Sequence, residues 1–85
     1  TSQMLQRTRE AETLARAKGD LRLASAAKSM EATILLRYVG DPAAALIAYR
    51  EASAANPQDT AIREAMTKLE RSLKLLQTQA KNRKQ

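Results

Sequence analysis

Residues 40–57 read GDPAAALIAYREASAANP, and the architecture of the whole chain can be worked out from this stretch. Glycine can adopt the left-handed backbone that closes a helix, and aspartate can accept from the free N–H groups of the next helix. Proline is tolerated in a first helical turn, where its missing N–H costs nothing. Gly40, Asp41 and Pro42 stand in that order, so one helix stops here and another starts. Ala45, Ala48, Tyr49 and Ala52 then recur at steps of three and four, placing small residues and one ring on a single helical face. A neighbouring helix can approach such a face closely. Asn56 and Pro57 end the element in a turn.

Working outward, a second Gly-Asp pair, Gly19 and Asp20, punctuates the chain upstream. The two pairs divide it into helices expected over about 2–18, 21–39, 42–55 and 60–81, with residues 82–85 left as a basic tail. In the first helix Met4, Leu5, Thr8, Ala11, Leu14 and Ala15 form a thin apolar stripe. The second is apolar on two sides. Leu23, Ala27, Met30, Ile34 and Tyr38 make one stripe, and Ala32, Leu36 and Val39 make another that should meet Ala45 and Tyr49. The first of these stripes must be covered by a flanking helix or by a partner, because so much apolar surface in water invites aggregation. In the last helix Ile62, Met66, Leu69, Leu73, Leu76 and Ala80 step by four and three, a heptad seam that either packs back on the hairpin or pairs with another chain.

Composition agrees with an all-α fold. Eighty-five residues make one domain, aromatics are 2%, and two glycines and two prolines leave a sheet without its usual turns. The apolar fraction is 44%, but 17 of the residues are alanine, which favours close helix packing over a thick core.

The stretch from residue 26 to residue 59 resembles a tetratricopeptide (TPR) repeat: helix, Gly-Asp, a second helix with Ala, Tyr and Ala at steps of four and three, then Asn-Pro. Gly40, Ala45, Tyr49, Ala52 and Pro57 carry the match. The first helix departs from the pattern, with Ser29, Ala32, Thr33 and Leu36 where the family expects larger or ring-bearing residues at several places. The resemblance implies antiparallel helical hairpins, a fragment of an α-α superhelix with a long C-terminal capping helix. It also implies a non-enzymatic adaptor or scaffold that binds a peptide or helix of another protein on its concave face, with Met30, Ile34, Arg37 and Tyr38 as the contact residues. Members that clamp the carboxylate tails of chaperones use Lys and Asn where Ala27, Met30 and Ile34 stand here, so that ligand is not expected.

Chemistry has little to work with. There is no cysteine and no histidine, which removes disulfides, thiolates and the commonest metal ligand and general base, so no cofactor, metal or catalytic residue is expected. Ser25, Ser29, Ser53 and Ser72 have no histidine to activate them, leaving lysine as the only familiar base. Asp20, Asp41 and Asp59 sit where helix caps are needed. Glu10, Glu12, Glu51, Glu64 and Glu70 read as ordinary surface pairs with Arg and Lys.

The net charge of +6 is concentrated late in the chain, in Arg71, Lys74, Lys81, Arg83 and Lys84. These could contact phosphate or anionic lipid, but the missing aromatics and the absence of a recognised motif disfavour nucleic acid, and membrane contact is disfavoured too. Two alternatives to the adaptor reading therefore stand: self-assembly through the Ile62, Met66, Leu69, Leu73, Leu76 seam, and a basic C-terminal helix on an anionic surface. No leader or apolar run long enough to span a bilayer is visible, which favours the cytoplasm but leaves the compartment open. The chain begins at Thr1 without an initiator Met, so a processed or fragment origin is left open.

Overall fold

The computed structural model describes the backbone of residues 1–83 and the side chains of residues 1–79. Four helices follow one another: α1 (Ser2–Ala17), α2 (Leu21–Ile34), α3 (Pro42–Ala55) and α4 (Thr60–Arg83). A π-helical turn, Leu35–Val39, continues α2. Asn82 and Arg83, expected in a tail, are helical.

Local chemistry sets these boundaries. Gly19 (φ 72°) and Gly40 (φ 76°) both take the left-handed conformation. The amide of Asp20 then donates to Ala15 O at 2.8 Å and that of Asp41 to Leu35 O at 2.9 Å, wrapping up carbonyls that each helix end would leave free. Each following aspartate caps the next helix: Asp20 Oδ1 accepts from the Leu23 amide at 3.1 Å, and Asp41 Oδ1 from that of Ala44 at 3.1 Å. Asp59 does the same for α4, accepting from Ile62 N–H at 3.3 Å.

The helices pack in sequence order, α1 on α2, α2 on α3 and α3 on α4, in a row only 15 Å thick along its shortest axis. Small residues join the central pair. Ala45, Ala48 and Ala52 of α3 are buried against the side of α2 that carries Ser25 and Ala32. Ser25, 1% exposed, donates its hydroxyl to Ala52 O at 2.8 Å, a side-chain bond that crosses from α2 to α3. Leu46 and Tyr49 then turn toward α4, where Ile62 and Leu69 are buried and Met66 and Leu73 pack half-buried against the same cluster.

The row zigzags. Lys28 of α2 reaches acids on both α1 and α3, so those two helices converge on one face of α2. Tyr49 lies about 200° around α3 from Glu51, at 100° per residue, and is flanked by Leu36 of the π turn and Leu73 of α4. Thus α1 and α3 form one layer, and α2 and α4 the other.

Two expected stripes change. On α2, Leu35, which steps on by three from Ala32 on the side that carries Ser25, enters the core rather than Leu36, while Leu36 (36%) and Val39 (47%) stay exposed. On α1 the buried line is Thr8 and Ala15, with Leu5 and Glu12 half-buried; Met4, Ala11 and Leu14 face water.

Nothing lies within 4 Å of a Cβ built on Gly40, so Gly40→Ala is expected to cost only the left-handed strain, about 1 kcal/mol, read by urea denaturation. Leu69→Ala, which empties a buried site, is expected to cost about 3 kcal/mol in the same assay. Leu76→Ala, at an exposed site, should change stability by less than about 0.5 kcal/mol.

Candidate functional site

Two features on opposite layers of the row stand out. The first is a charge cluster in which Lys28 bridges three helices. Its Nζ lies 3.4 Å from Glu12 Oε1 of α1, 3.2 Å from Glu31 Oε2 of α2 and 2.9 Å from Glu51 Oε2 of α3. Arg9 Nε donates to the other Glu31 oxygen at 3.1 Å, and Arg16 Nε to Glu12 Oε2 at 2.9 Å. Glu31 is 5% exposed, a depth at which an ionised carboxylate needs partners on both oxygens. Oε2 has the Lys28 charge beside it but no aligned hydrogen bond, so the Coulombic attraction of the ammonium holds it.

Burial alone would lower the pKa of Lys28, but Glu51, Glu31 and Glu12 outweigh it and hold the ammonium above its ordinary value of 10.5. An amine held that firmly protonated is a poor nucleophile and a poor base. The cluster is therefore a clasp for three helices, and it corrects the reading of Glu12 and Glu51 as ordinary surface pairs. Glu31 carries no signal of its own in the sequence beyond being the single acid of α2.

The second feature is an apolar groove over Tyr49, walled by Leu36 and Pro42 on one side and by Leu69, Leu73 and Leu76 on the other. Tyr49 itself is 7% exposed, and its hydroxyl lies 3.3 Å from Thr33 Oγ1. Leu76 remains 59% exposed because α4, 24 residues long against 14 in α3, overhangs its neighbour. Among the described residues Lys68 is the one charged side chain lining the groove.

The four residues expected to contact a partner do not form one line. Met30 (59%) and Tyr38 (63%) are exposed and Arg37 is exposed in the π turn, but Ile34 is 3% exposed and belongs to the interior. The correction has a simple cause: Ala27 and Ile34 lie on the edge of α2 that takes α1, whereas Leu23 and Met30 lie some 40° away, at 100° per residue, and escape it.

The seam expected on α4 is similarly divided. Ile62 and Leu69 are buried within the chain and Met66 and Leu73 are half-buried on its core, which leaves Leu76 as the exposed member. Arg71 and Lys74 are exposed on the side of α4 away from Ile62 and Leu69. The side chains of Ala80, Lys81 and Arg83, and all of Lys84, lie outside the described residues.

Among the described residues no three His, Cys, Asp or Glu side chains are placed to hold a metal ion, and no helix is long and apolar enough to cross a membrane. Ser25, one of the serines considered above, is committed to its bond with Ala52 O. In comparisons with known proteins, no family model, no curated protein and no solved structure matches the chain.

The clasp makes a pH-dependent contribution whose sign follows from Lys28. A pKa raised in the folded state stabilises fully below 10.5 and is lost as pH rises through the folded value. Lys28→Met, which strands Glu31 with Arg9 alone, is expected to cost about 2 kcal/mol at neutral pH. The gap in Tm between this variant and the parent, followed by circular dichroism, should stay constant from pH 7 to 9 and narrow above the ordinary lysine value.

Proposed function

We propose that this chain is a non-enzymatic protein-interaction module, a TPR-like adaptor or scaffold that binds a peptide or helix of another protein. The observation that carries the reading is the apolar surface left in water on the α2 and α4 layer, Met30, Leu36 and Leu76 included, of which Leu36 and Leu76 line a groove. Exposed apolar surface gathered in a concave site marks an interaction surface more often than chance scatter does.

Further support comes from the packing. A row of helices in which each touches mainly its neighbours, alternating between two layers, is the construction used by helical-repeat proteins. Ala45 and Ala52, two positions of the TPR resemblance, lie in the α2–α3 seam, and Tyr49, a third, is buried where that pair meets α4. Against an enzyme stand the committed Ser25 and the firmly protonated Lys28.

Self-assembly through the α4 seam is less favoured. Ile62 and Leu69 would have to leave the core to reach a second chain, giving up roughly 2 kcal/mol of apolar burial each.

Selection from displayed peptide libraries, linear and helical, tests the module reading. Enriched peptides should bind the purified chain in solution and lose at least about tenfold in affinity against Met30→Asp, Tyr38→Asp or Leu76→Glu, exposed positions at which the fold should survive. Libraries that yield no peptide sensitive to any of the three would overturn it.

A further inference from the structure

We infer that the groove over Tyr49 takes an acidic amphipathic helix from a partner protein; the inference rests on the interaction-module reading above and names the chemistry of its ligand. Shape comes first. The α4 wall runs from Ala65 to Leu76, about 17 Å at 1.5 Å per residue, which matches three turns of a helix laid alongside. The opposite wall, Leu36 and Pro42, is the corner between α2 and α3. Its apolar floor suits side chains recurring at three and four residues on a docked helix.

Charge then selects among occupants. Lys68 lines the groove, and on its open flank Arg71 shares a shallow depression with Lys68 and the exposed Glu64. Of the other nearby acids, Asp41 accepts from the Ala44 amide as a helix cap, and Glu70 is half-buried on the other side of α4. The single acid of α2, Glu31, is buried in the Lys28 clasp on the opposite layer. A second copy of this chain carries +6 and would meet like charge here, whereas a helix with carboxylates flanking its apolar stripe meets Lys68 and Arg71, beside the exposed Glu64.

The experiment uses the full chain and two fluorescein-labelled, stapled helical peptides that share one leucine stripe, with Glu at every other exposed position in one and Lys in the other. Anisotropy titrations at low and at physiological salt should show the Glu peptide binding, more weakly as salt rises, and the Lys peptide not binding. Lys68→Glu and Leu76→Glu should each weaken the Glu peptide by about tenfold or more. Leu75→Glu should leave it unchanged, because Leu75 is as exposed (63%) but lines no part of the groove.

Equal binding of both peptides, no binding of either, or equal loss in the Leu75 and Leu76 variants would overturn the inference. If library peptides depend on Met30 and Tyr38 while the Glu peptide fails, the groove inference falls and the module reading stands. If the libraries also yield nothing, both fall.

Discussion

The close approach of α2 and α3 is the constraint on which the rest depends. Ala32, Ala45, Ala48 and Ala52 keep the side chains between these helices to a methyl group, so the axes can come near the short end of the 8–10 Å range. At that separation Ser25 Oγ reaches Ala52 O, and a buried hydroxyl finds its partner across the interface. A larger residue at any of these positions would push the helices apart, and both layers hang from this pair. α1 packs mainly on α2, and α4 mainly on α3.

The thin central seam explains why the charge cluster is needed. Alanine contributes little apolar area per residue, and α1 brings Thr8 and Ala15 rather than large side chains to α2. Lys28 compensates in geometry: one ammonium touches Glu12, Glu31 and Glu51, and with Arg9 it fixes the relative register of three helices. Three carboxylates balanced against Lys28, Arg9 and Arg16 satisfy the requirement that buried charge be paired. On the other layer the same economy of large side chains leaves the groove over Tyr49 unfilled. Structure and binding surface thus follow from one shortage of bulk.

Much of the fold was legible because its signals are short-range. Gly19 and Gly40 lie next to the aspartates that cap the following helices, so stop and start were written within two residues. The small face of α3 was visible from its spacing, since a helix repeats every 3.6 residues whatever it packs against. The seam of α4 was visible too, but not its division: helix length shows that an end must overhang, while only the neighbour's length shows that Leu76 lies beyond cover and Leu69 beneath it. Of the residues expected at surfaces, Ile34, Ile62 and Leu69 lie in the interior, and the groove over Tyr49 is walled by none of Met30, Arg37 and Tyr38, because which face stays open depends on the neighbouring helices.

By itself, then, the sequence determined an all-α chain of four helices, their caps, and the faces of α3 and α4 that turn inward, because each rests on residues within a turn or two of one another. Tertiary structure decided what depends on contacts far apart in the chain. Glu31 meets Arg9 across 22 residues, and Lys28 draws in Glu12 and Glu51 from two different helices. Leu36 becomes a groove wall only because Pro42 and the α4 residues Leu69, Leu73 and Leu76 stand around it. An ion pair or a groove is a property of two surfaces at once, and a linear pattern describes only one of them.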